Sequence, residues 1–200
     1  MTPSHPHYVR RDDPSRVGIV TIVRVAIATT VLVGALAAGT PPAATATASS
    51  AGANPTPAQI RTAIARAQRA KTLWATVNVC DTRADPNVLG VRGEMPSLGF
   101  ASWLSMEIHL DYYDQAKQSF VTDPGTVKTI RLGRSLHGLQ QGGATYTFKG
   151  PTPMLQASVR FIWRRSGQTL GATSMLTTGG HPSADFGSPP RFSAATCQIH

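Results

Sequence analysis

Apolar and polar side chains alternate along several stretches of the chain after residue 73. Alternation of this kind places successive side chains on opposite faces, which is the pattern of a half-buried β-strand. The longest run sets five mainly apolar positions against five of the opposite face: Leu104, Met106, Ile108, Leu110 and Tyr112 against Ser105, Glu107, His109, Asp111 and Tyr113. A second run is predicted to place four side chains in the core and four on the outer surface. The inward residues are Ala157, Val159, Phe161 and Trp163, and the outward residues are Ser158, Arg160, Ile162 and Arg164.

Shorter runs of similar character recur along the rest of this region. They cover residues 74–80, 88–95, 119–122, 127–132, 144–149, 169–177 and 192–199, with Gly, Pro, Asp and Asn between them. About eight or nine short strands at such spacing predict an all-β sandwich or a small barrel. Because most of these strands have one polar face, the pattern favours antiparallel sheets.

One helix is predicted before the strands, over residues 57–72. Thr56 can cap its N-terminus, Pro57 suits the first helical position, and Gln59 would complete a capping box. Apolar residues then recur at helical spacing, but most of them are alanines. Because alanine buries little surface, we expect a helix that packs on the domain rather than one that lies on a membrane.

The N-terminal region predicts export. An apolar run of 14 residues, Val25–Ala38, follows several arginines and precedes Ala-x-Ala patterns, as in a secretory signal peptide. We therefore expect a cleaved signal over residues 1–46, a flexible linker over 47–56, and a secreted sandwich domain over 73–200. The alternative is an uncleaved, single-pass membrane anchor over residues 17–38, which has about the length needed to cross a bilayer.

The two cysteines, Cys80 and Cys197, bracket nearly all of the predicted strands. An even number of cysteines in an exported chain predicts a disulfide. This bond would join the first and last strands of one unit. A metal or redox role would need further Cys or His ligands at short spacing, which the sequence lacks.

The predicted exported part is basic. The chain has 19 Lys and Arg, of which 15 lie beyond the signal region, and 10 Asp and Glu, of which 8 lie there. The net charge of the exported part is therefore +7. Four outward positions would form a basic, anion-binding face if their strands are neighbours: Arg131, Lys149, Arg160 and Arg164. The alternative is an ordinary solvated surface. An anionic cell-envelope component is the expected kind of partner, and nucleic acid is not, because no run of five basic residues occurs.

Motifs for catalysis are weak. His181 and Asp185 share a Gly- and Pro-rich loop, and Glu107, His109 and Asp111 share one strand face, so an exported hydrolase is the alternative function. The chain has no G-x-S-x-G, H-E-x-x-H or P-loop motif. We therefore predict no catalytic residue, metal site or cofactor.

Five motifs carry a family resemblance. In chain order they are CDT (80–82), GVRGEMP (90–96), VRFIWRR (159–165), TTGGHP (177–182) and SAATCQI (193–199). Together they resemble small secreted actinobacterial proteins that have an immunoglobulin-like β-sandwich and no assigned activity. The resemblance implies this fold and an extracellular location. With the terminal cysteines, it also implies that Trp163 packs without a disulfide against it, unlike in antibody domains. The expected function is a secreted or envelope binding or structural module.

Overall fold

The computed structural model describes residues 54–200. The predicted signal peptide (1–46), the alternative anchor (17–38) and most of the predicted linker (47–56) lie outside the described residues. Within residues 54–200, no helix is both long and apolar enough to span a membrane.

Eight strands form two antiparallel sheets. In chain order they are β1 (Trp74–Cys80), β2 (Val88–Pro96), β3 (Ser102–Asp114), β4 (Ser119–Ser135), β5 (Leu139–Thr147), β6 (Leu155–Arg165), β7 (Gln168–Leu176) and β8 (Thr196–Cys197). The three-stranded sheet has the order β1-β2-β5. The five-stranded sheet has the order β4-β3-β6-β7, with β8 paired to the start of β6. The predicted all-β fold is confirmed, and its arrangement is compatible with an immunoglobulin-like sandwich.

The alternating runs supply the core between the sheets. Eight side chains predicted to face inward are buried: Leu104, Met106, Ile108, Leu110, Ala157, Val159, Phe161 and Trp163. Two assignments were wrong. Tyr112 is 36% exposed, because it lies near the end of β3, and Ile162 is only 1% exposed although it lies on the outward side. The face of each sheet turned away from the core is called its outer face below.

Two strand boundaries also differ from expectation. The segments 119–122 and 127–132 belong to one continuous strand, β4, which bulges opposite β3 between residues 123 and 128. The Thr126 hydroxyl stabilises this bulge, because it accepts a bond from the Leu110 N–H at 2.9 Å. The run 192–199 contributes only the two residues of β8.

Helix α1 (Pro57–Gln68) packs on the domain. The predicted capping box is present, with the Thr56 hydroxyl accepting from the Gln59 N–H. The helix ends four residues before its predicted end, because Arg69 leaves helical geometry. Ile64 is buried against β7, and the Gln68 amide donates to the Ala172 carbonyl at 2.9 Å.

The predicted disulfide is confirmed, and it joins the two sheets. Cys80 ends β1, and Cys197 lies in β8 of the other sheet. Cys197 is paired with Leu155 at the start of β6. Trp163 lies farther along the same strand, about 26 Å from Leu155 at ~3.3 Å per residue. Trp163 therefore packs in the core at the far end from the disulfide, where its indole N–H donates to the Pro96 carbonyl at 2.8 Å.

The long segment between β7 and β8, residues 177–195, follows the free edge of β1. Val77 and Ala194 exchange two backbone hydrogen bonds, at 2.9 and 3.0 Å. Farther along, the Ser188 N–H donates to the Asn78 carbonyl at 2.8 Å. These bonds hold the segment against the three-stranded sheet.

Candidate anion-binding face

Three of the four predicted anion-binding residues share the outer face of the five-stranded sheet. On the two strands beside β3, Arg131 is paired with Ser105, Arg160 with Glu107, and Arg164 with Trp103. Paired residues of antiparallel strands project to the same side of the sheet. The fourth residue, Lys149, follows β5 of the other sheet and is not part of this group.

The arginines of this face differ in their electrostatic state. The Arg160 guanidinium donates to Glu107 at 3.0 Å, and this ion pair neutralises its charge. Arg131 and Arg164 are exposed and have no carboxylate partner among residues 54–200. They are therefore the ones whose charge is available to an anion.

A β-bulge adds a further arginine that alternation alone does not assign to this face. Arg131 and Arg134 are three residues apart, so a regular strand would point them to opposite sides. In β4 the extra residue Leu132 shifts the register, and Arg134 is paired with Trp103. Like the other two, Arg134 is exposed and has no ion-pair partner in the part of the chain that the structure describes.

A groove of about 360 Å³ lies between these residues. Its lining includes Trp103, Ser105, Arg131, Gly133, Arg164 and Gly167. Gly133 and Gly167 have φ angles of +97° and +79°, which favour glycine, and they leave the groove free of side chains at two points. We call this feature, with the adjacent Arg134, the arginine groove.

Trp103 occupies the middle of this surface and was not predicted as a site residue. It is 58% exposed, although tryptophan is among the largest apolar side chains. The alternation in β3 could have indicated that Trp103 faces outward, since it falls on the same face of the strand as Ser105 and Glu107. Its register neighbours on the two sides are Arg134 and Arg164.

The guanidinium groups of the arginine groove have the chemistry that suits an anion, and they do not suit acid–base catalysis. Guanidinium groups stay protonated and form paired hydrogen bonds to carboxylate or phosphate oxygens. Within the described part of the chain, neither Glu107 nor Asp111, on the same strand, forms a hydrogen-bonded pair with His109. Glu107 is bound to Arg160, and Asp111 is buried, with one carboxylate oxygen unbonded. Among residues 54–200, no bond joins His109 to Asp111, and no three metal-ligating side chains cluster.

The loop residues His181 and Asp185 have separate partners over the three-stranded sheet. The His181 ring stacks on Trp74, with centroids 4.9 Å apart, and its Nε2 lies 2.9 Å from the Thr178 hydroxyl. The Asp185 N–H donates to the Gln141 side chain at 3.0 Å. The described residues therefore contain no hydrogen-bonded His181–Asp185 pair for acid–base chemistry.

His181 predicts a pH dependence of stability. Burial lowers its pKa from the ordinary 6.5, and the nearby Glu94 opposes this effect only in part. Below about pH 6.5 the unfolded chain then binds more protons than the folded one. The His181 contribution is therefore complete above that pH and is lost as the pH falls through the lowered pKa.

We expect the free energy of unfolding in urea to fall across this pH range in the native protein. The decrease should be smaller in His181→Gln. His137→Gln, at an exposed histidine on another part of the domain, is the control and should keep the native pH profile. Identical profiles for the native protein and His181→Gln would contradict this prediction.

Comparisons of the chain with family models, with curated proteins and with solved structures give no match. The fold and its covalent link define a disulfide-linked, all-β sandwich-like domain. The resemblance to secreted actinobacterial proteins stays a prediction.

Proposed function

We propose that this protein is a secreted or cell-envelope β-sandwich module that binds an anionic polymer of the envelope in its arginine groove. The observation that carries the proposal is the set of three exposed arginines, Arg131, Arg134 and Arg164, on one face without ion-pair partners among residues 54–200. Like charges this close repel one another, and an anion bound between them removes the repulsion.

The form of the site supports a binding function. The arginines project from β4 and β6, on either side of the central strand β3, so the sheet fixes their spacing. Because the sheet already fixes the backbone positions of these arginines, only their side chains have to become ordered when a ligand binds. The groove volume is near the lower end of the range of about 300–1,000 Å³ for small-molecule sites, which suits a short stretch of a polymer.

Charge reversal in the groove tests this function. The double variant Arg131→Glu/Arg164→Glu should bind labelled polyglutamate, a simple polyanion, about tenfold more weakly or worse, because two charge-assisted hydrogen bonds become repulsions. Fluorescence anisotropy at low salt measures this affinity, which should decrease as salt is added.

The matched control is Arg61→Glu/Lys149→Glu, which changes the net charge equally at two exposed positions outside the groove. The control should stay within about twofold of the native affinity, since the groove itself is intact. An equal loss in both double variants would show that overall charge, and not the groove, holds the polymer, and would overturn the proposal.

A further inference from the structure

The tryptophan in the arginine groove has an unoccupied ring face. Among residues 54–200, the cation–π contacts involve Phe186, Tyr146 and Phe100, and the aromatic pairs are Trp74–His181 and Tyr113–Phe120. Trp103 takes part in none of them, although arginines are its register neighbours on both sides. Its indole therefore has neither an aromatic nor a cationic partner in the described part of the chain.

A simple charged surface does not need such a residue. An exposed tryptophan exposes apolar surface to water, and a binding partner that covers the ring relieves that cost. The other two tryptophans of the chain, Trp74 and Trp163, are only 5% and 0% exposed. The exposure of Trp103 is thus particular to the groove and is not a general property of tryptophan in this fold.

We infer that the arginine groove recognises an acidic polysaccharide, with one sugar ring stacked on Trp103 and the anionic groups of the chain bound by Arg131, Arg134 and Arg164. This inference rests on the proposed function and specifies its ligand class. The C–H groups on one face of a pyranose ring carry partial positive charge, and the face of an indole ring is negative, so the two faces attract.

The register of the strands suits a ligand that has both features. Paired residues on neighbouring strands have Cβ atoms about 4.5–5.5 Å apart. Arg134 and Arg164 therefore flank the ring across the strands, and Arg131 lies one same-face position farther along, opposite Ser105. A sugar ring over Trp103 would place a carboxylate substituent within reach of these side chains. A polyanion without rings could use the arginines but not the indole.

The test compares two carboxylate polymers, oligogalacturonate and polyglutamate, matched in charge. The native protein should bind oligogalacturonate the more tightly. Trp103→Ala should reduce oligogalacturonate affinity about tenfold, the upper end of what one aromatic contact contributes, and should reduce polyglutamate affinity by a clearly smaller factor. Phe186→Ala is the matched control, since Phe186 is 81% exposed but lies in the segment over the other sheet. This control should change neither affinity.

Tryptophan fluorescence gives a second measurement that does not depend on a variant. Because Trp103 is the exposed one of the three tryptophans, acrylamide quenching reports mainly on its ring. Oligogalacturonate should protect the native protein from quenching, and polyglutamate should protect it less.

If Trp103→Ala fails to fold, Trp103→Phe, which keeps a smaller ring, should retain a reduced preference for oligogalacturonate.

The outcomes separate this inference from the proposed function. If Arg131→Glu/Arg164→Glu loses both polymers while Trp103→Ala changes neither, the groove binds anions and the sugar-stacking inference is wrong. Equal quenching protection by the two polymers would overturn it as well. If Arg131→Glu/Arg164→Glu binds both polymers like the native protein, the proposed function fails and this inference fails with it.

Discussion

Replacing both cysteines by serine, Cys80→Ser/Cys197→Ser, should lower the free energy of unfolding by about 5 kcal/mol. The two residues are 117 positions apart, so their bond removes a large loop entropy from the unfolded chain, and the entropy model gives about 4.7 kcal/mol for a 100-residue loop. Because domains of this size are stable by only about 5–15 kcal/mol, the loss would remove a third or more of the total.

Urea unfolding of the native and double-serine proteins measures this difference. The native protein with its disulfide reduced is the control, because it lacks the bond but keeps both cysteine side chains. It should unfold close to the double-serine variant. A double-serine variant with the native unfolding midpoint would show that the bond does not contribute to equilibrium stability.

The variant Gly143→Ala should destabilise the domain by about 3 kcal/mol, the upper end of the usual cost of overpacking. Gly143 lies in β5 opposite Arg92 of β2. A Cβ atom added there would lie 2.0 Å from the Val91 carbonyl oxygen and 3.1 Å from the Arg92 Cα. Both are backbone atoms, so no side-chain rotation relieves the clash, and the β2–β5 pairing must open instead.

Two neighbouring glycines provide controls for this effect. Gly150→Ala should be close to neutral, because no atom beyond the two adjacent residues lies within 4 Å of the added methyl group. Gly142→Ala should be intermediate, since its closest contact, at 2.3 Å, is a terminal methyl of Leu132, which can move. Urea unfolding of the three variants checks this order. Equal stability of Gly143→Ala and Gly150→Ala would contradict the expected clash.

The strands that were easiest to predict are those whose two faces meet different surroundings. Along most of β3 and β6 one face is core and the other is more exposed, so burial largely repeats with the two-residue period of the backbone, with Asp111 and Ile162 as exceptions. Trp163 and Met106 could therefore be assigned to the core from local sequence. Tyr112 follows the same period but is partly exposed near the end of β3, and its burial depends on the extent of neighbouring elements rather than on its own strand.

The candidate site was only partly predictable for a related reason. The alternation predicts that Arg131 and Arg164 each face outward on their own strands. They lie on one face of the sheet because both strands pair with β3. Lys149 also belongs to an alternating run, but alternation within a strand does not show which of the two sheets that strand joins. Arg134 was missed because the predicted run ended at residue 132, and because the bulge at Leu132 and Gly133 changes which face the following residues join. The glycine at position 133 is the one local sign of this bulge.

The segment 177–195 has a consequence for how this protein behaves at high concentration. Six of the seven residues of β1 are buried, two of them the polar residues Thr76 and Asn78. An open edge of this strand would present unpaired backbone groups to which strands of other molecules could add. The hydrogen bonds from Ala194 and Ser188 occupy that edge. The segment 177–195 therefore protects the domain from edge-to-edge aggregation. If the segment were detached, the edge of β1 would be open to strands of other molecules and the protein should become less soluble.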